Sequence, residues 1–94
     1  MPTLSLQTAV RTANQVFDDH GYKFPWSFVA VPSNEPHELK LRLIRADEGI
    51  ERAENVTYAQ GVHGFYATCS RVLAKLATDL RDEIAQKKGW KITA

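Results

Sequence analysis

Between residues 62 and 88 the chain repeats apolar side chains at a single spacing, and that repeat limits what it can fold into. Counting 3.6 residues at a time from Val62 reaches Phe65 and Tyr66, Cys69, Val72 and Leu73, Leu76, Leu80 and Ile84. Each step lands on an apolar residue. The spacing predicts one long amphipathic helix over 62–88. A coiled coil would hold a period of 3.5 instead, so the stripe predicts a straight helix lying on a sheet. At 1.5 Å per residue the helix is about 40 Å long. A compact chain of this length has a radius of gyration near ~13 Å. The helix is therefore expected to overhang its own domain. Its last turns, with Leu80 and Ile84, would then need cover from the tail or from a second chain.

The remaining segments supply the sheet and one more helix. Over residues 4–20, Leu6, Val10, Ala13 and Phe17 share a face at helical spacing. Thr3 or Ser5 can cap its start, because a hydroxyl there accepts a free backbone N–H. Gly21 can take the left-handed conformation that ends it. Tyr22-Lys23-Phe24-Pro25-Trp26 is an aromatic connector in which Pro25 stops helix continuation. Residues 26–31 read as a strand of aromatic and β-branched residues. Trp26, Phe28 and Ala30 fall on one face of it, and Val29 and Val31 on the other. Such a strand needs cover on both sides or presents an apolar patch to a partner. After the turn cluster 32–36, residues 38–44 alternate cleanly, with Leu39, Leu41 and Leu43 inward and Glu38, Lys40 and Arg42 outward. The two strands form an antiparallel hairpin.

Residues 45–56 fit two descriptions. Ala46, Ile50 and Ala53 suit a short helix, and Glu, Arg and Ala favour one. Asp47-Glu48-Gly49 can instead turn the chain into a third strand from Ile50 to Val56. Gly49 weakens the helix and favours the strand. A three-residue loop there would set Arg45 opposite Glu51 and Arg42 opposite Glu54, both favourable cross-strand pairs. Thr57 and Gln60 have the spacing of a capping box for the long helix, and Gly89 ends it. The expected fold is α+β: one domain over 1–94, with two helices on a small antiparallel sheet of two or three strands, in the order α-β-β-(β)-α.

Composition narrows the function classes. Twelve Lys and Arg stand against eleven Asp and Glu, for a net charge of +1. Nucleic-acid modules are usually more basic. The single cysteine, Cys69, cannot form an internal disulfide, which points to a reducing cytoplasm. The first residues carry no leader pattern, and no apolar run approaches the ~20 residues of a membrane span.

The residues that could carry chemistry are scattered. Cys69 lies on the apolar stripe, where it acts as a small hydrophobe. His20, His37 and His63 lack the close spacing of metal ligands. The carboxylate pairs Asp18-Asp19, Asp47-Glu48 and Asp82-Glu83 are adjacent in sequence, so on a helix their members point apart. Neither an enzyme nor a cofactor site is expected. Gly61-Val62-His63-Gly64 at a helix start offers free N–H groups to an anion, yet it lacks the lysine of a phosphate-binding loop.

With a third strand, the chain resembles the double-stranded RNA-binding domain in its order of elements. That family carries lysines at the start of its last helix. Here Gly61 to Ala67 contains neither lysine nor arginine. Lys40, Arg42, His63, Arg71 and Lys75 are the residues such an RNA or anion contact would use. Tyr22, Phe24, Trp26 and Trp90, large aromatics at element ends, point instead to protein–protein contact. Together with Leu80 and Ile84 they form the candidate partner interface, and a homodimer through the C-terminal helix would cover the last two. The expected function is a stand-alone, non-enzymatic binding protein, in one form an inhibitor of a host defence complex of the anti-CRISPR type carried by a phage or mobile element. The alternatives are an RNA-binding module and a homo-oligomeric adaptor.

Overall fold

A computed structural model describes residues 4–58 and 61–89. The order is α1 (Leu6–Asp19), β1 (Trp26–Pro32), β2 (Glu38–Arg45), β3 (Ile50–Thr57) and α2 (Val62–Lys87). The strands form one antiparallel sheet in the order β1-β2-β3. The fold is α+β, with the third strand present.

The core follows from the alternation in β2. Leu39, Leu41 and Leu43 are fully buried, and they meet Ala9, Ala13 and Val16 of α1 and the α2 stripe from Phe65 to Leu80. Burying each large aliphatic side chain contributes roughly 1.5–3 kcal/mol before chain entropy is counted. Small residues on α1 let the two helices approach closely. Ser5 caps α1, its Oγ accepting the Thr8 N–H at 3.1 Å, and Gly21 follows with φ +74°. Gly89 repeats that arrangement after α2, also at φ +74°. The start of α2 differs from the capping-box expectation. Thr57 ends β3, and Gly61 is the N-cap, with no side-chain cap bond.

The register of β3 also differs. The turn has four residues, Ala46 to Gly49, with Gly49 at φ +65°. Arg45 pairs with Ile50 and Arg42 with Ala53, so neither expected charge pair stands directly opposite. Glu54 sits opposite Leu41, on the face that carries the helices. From there it accepts a salt bridge from Lys75 of α2 at 3.0 Å. Arg52, on the same face opposite Leu43, pairs with Glu83 of α2. Arg42 reaches Glu51 diagonally across the other face, with Nε–Oε2 at 2.7 Å and Nη2–Oε1 at 2.9 Å.

The expected overhang of α2 is not found. The molecule is elongated, with extents of 48 × 24 × 23 Å and a radius of gyration of 14.2 Å. Its long dimension accommodates a helix of 26 residues. Leu80 is 0% exposed and Ile84 5%. Trp26 and Ile50 pack against the cluster that contains Leu80, and Lys88 ties the last turn to Glu48 of the β2–β3 turn at 3.3 Å. The sheet and the β2–β3 turn thus contribute cover at the end of α2 that was expected from the tail or from a second chain.

Candidate partner-binding surface

The aromatic connector between α1 and β1 is built as a tight turn. The Trp26 N–H donates to Lys23 O at 2.9 Å, and the Ala46 N–H donates to Pro25 O at 3.0 Å, which anchors the turn to the end of β2. The Phe24–Pro25 peptide is cis. Behind the turn runs a chain of rings. Phe28 stacks on Phe17 at 5.4 Å, Phe17 on Tyr22 at 5.6 Å, and Tyr22 tilts against Trp26 at 5.3 Å. Two guanidiniums lie over the Trp26 ring, Arg45 at 4.8 Å and Arg81 at 5.3 Å. Arg45 is held in place by a two-point bond to Asp47, at 2.9 and 2.8 Å. Cation–π contact of this kind favours a fixed ring.

Phe24 stands at the tip of this turn and is 86% exposed. Tyr22 and Trp26, beside it in sequence, are half-buried and face the ring chain. The structure thus divides the expected interface. Tyr22, Phe24 and Trp26 come together at one end of the molecule. Leu80 and Ile84 lie beneath that end, inside the chain. Trp90 lies outside the described residues.

The basic candidates do not converge. Lys40 and Arg42 are on the sheet face away from the helices, where Arg42 is paired with Glu51. His63, Arg71 and Lys75 are on α2, and Lys75 is paired with Glu54. Those bonds shift the charged groups as expected: the hydrogen bond to Arg42 holds Glu51 below the ordinary carboxylate range, and Glu54 raises Lys75. The first turn of α2 carries neither lysine nor arginine.

Cys69 is 1% exposed, and burial pushes its thiol up to about 12. At neutral pH it is a protonated core residue. Sequence spacing gave no sign of a contact between His20 and Ser70, whose Nε2 and Oγ are 2.9 Å apart on the surface. A serine–histidine pair invites comparison with a nucleophile and its base. The neighbouring carboxylate, Asp19, is engaged elsewhere. It accepts from Tyr66 Oη at 2.5 Å and from Gln15 Nε2 at 2.7 Å, and these bonds lower its pKa. Ser70 also sits mid-helix, where backbone N–H groups are already bonded and cannot stabilise an oxyanion. Among the described residues no group of His, Cys, Asp and Glu could hold a metal ion, and no helix is long and apolar enough to cross a membrane. No protein-family model, curated protein or solved structure matches the chain.

Proposed function

We propose that this chain is a small non-enzymatic binding protein that docks on another protein through the turn presenting Phe24. One observation carries the reading: a phenylalanine 86% exposed at the tip of a turn that is bonded to the sheet and backed by packed rings. An exposed apolar residue is ordinary on a protein surface. An exposed aromatic on a rigid support is less so, because its ordering cost on binding is already met by the fold. Filling a pocket with such a ring contributes about 1.5–3 kcal/mol, the scale of an interface hot spot. An inhibitor that covers a surface of a larger complex is one form of this function.

The test compares wild type, Phe24→Ala and a control, Asn14→Ala on the exposed side of α1, as baits in cross-linked extract of the native host. The reading expects one protein to be retained by wild type and the control and lost with Phe24→Ala. Equal retention by all three baits, or by none, would overturn it.

A further inference from the structure

β1 is an edge strand whose outward side has no strand partner among the described residues. It pairs with β2 alone. The Ser33 N–H donates to Glu38 O, and the Ala46 N–H donates to Pro25 O, at 3.0 Å each. Both bonds fall in the β1–β2 register, so the odd-numbered residues Ser27, Val29 and Val31 aim their backbone groups at β2. The even-numbered residues aim theirs away from the sheet. The Trp26 N–H is taken by Lys23 O, and Pro32 has no N–H. Phe28 and Ala30 are left at the centre, each with an N–H and a C=O that no described residue bonds.

Proteins usually blunt such an edge with charge. β3, at the other edge, carries Glu51, Arg52 and Glu54, whereas β1 carries no charged residue at all. We infer that β1 pairs antiparallel with β1 of a second copy of this chain about a two-fold axis at Val29, joining two sheets into one of six strands. The pattern is self-complementary. Phe28 faces Ala30 of the second copy and Ala30 faces its Phe28, which closes four backbone hydrogen bonds. Val29 meets its own copy on the open face, next to Ser27 against Val31. Beyond the ladder, the turn bearing Lys23 lies at the end where the second copy presents Glu35. Both side chains are exposed and neither has an ion pair among the described residues, so the two ends match in charge.

α1 packs on β1 and, to a lesser extent, on β2, so the two copies of α1 flank the joint on the same face of the joined sheet. This dimer uses β1 and is independent of the C-terminal helix and of the Phe24 docking reading.

Sedimentation velocity and amide exchange on the full chain test it together, from low to high micromolar concentration. The mass should rise towards twice 10.6 kDa, and the Phe28 and Ala30 amides should become protected in step with it. Ala30→Pro removes an outward N–H while leaving the β2 ladder whole, and should stay monomeric with an unchanged circular dichroism spectrum. K23E or E35K alone should weaken the dimer severalfold, and the double variant K23E/E35K should restore it, which decides the matter if Ala30→Pro does not fold. A wild type that stays monomeric, a dimer undiminished in folded Ala30→Pro, or a dimer indifferent to both charge reversals overturns the inference. So does protection of these two amides only on adding a foreign peptide strand.

Discussion

Leu80→Ala measures whether the end of α2 is covered within one chain. Leu80 is 0% exposed and belongs to the core cluster. Truncation to alanine removes three carbons, which at about 0.8 kcal/mol per methylene amounts to roughly 2.4 kcal/mol of lost transfer energy. The cavity left behind adds to this, because the surrounding core cluster cannot close it fully, and brings the total to ~3 kcal/mol within a usual range of about 2–5. For a domain of this size each kcal/mol lowers the melting temperature by about 4–8 °C, so a fall of roughly 12–24 °C is expected. Leu6→Ala is the control. Leu6 is 42% exposed, and its truncation should cost under ~1 kcal/mol. Thermal and urea unfolding followed by circular dichroism, at a low and a high protein concentration, read both variants. A Leu80→Ala protein within ~1 kcal/mol of wild type would refute the intrachain cover. So would a loss seen only at the concentration where chains associate, since that result would return Leu80 to an interface.

Three further outcomes follow from particular side chains. Cys69 should react with an aromatic disulfide reagent only as fast as the chain opens, and at once in denaturant, because its thiol is buried and protonated; fast reaction in the native state would place it at the surface. Asp19, Asp47 and Glu51 all have depressed pKa values, through Tyr66, Arg45 and Arg42 respectively as the largest causes. Their contribution to stability is present above the unfolded carboxylate values and is lost as pH falls below about 4; Tyr66→Phe should move the Asp19 titration upward in a carboxyl-carbon NMR titration, and an unmoved Asp19 would show that the Tyr66 bond is not made. A duplex-RNA shift assay at low salt should show no binding, because the start of α2 carries neither lysine nor arginine; a shift that weakens steeply with added salt would reinstate the nucleic-acid reading.

Much of the architecture was legible because burial imposes period. Leu39, Leu41 and Leu43 alternate because one face of β2 is core, and the α2 stripe repeats at 3.6 because one side of the helix is core. The candidate surface was legible only in part. Tyr22, Phe24 and Trp26 read alike as aromatics at a connector, and only the turn geometry turns one ring out and two in. The burial of Leu80 and Ile84 was hidden for a different reason. Helix length alone does not show that the β2–β3 turn reaches the last turn of α2, where Glu48 meets Lys88.

β3 shows most directly what sequence pattern leaves open. Its residues, Ile50 to Thr57, do not alternate, because the face towards the helices carries Ile50, Arg52, Glu54 and Val56. Two of those four are charged, and each is matched by an opposite charge on α2: Glu83 for Arg52 and Lys75 for Glu54. At the border of a small core a strand can meet a helix through ions that remain partly in water, so the period-2 signal disappears without the strand disappearing. Register is then set by the turn alone. Three residues in the turn would have sent Arg52 and Glu54 to the open face beside Arg42, and left Glu83 and Lys75 without partners from the sheet. The fourth residue, with Gly49 at positive φ, reverses the facing of every side chain on β3. The same turn brings Glu48 to Lys88, so the turn that determines the register also helps to close the end of the second helix.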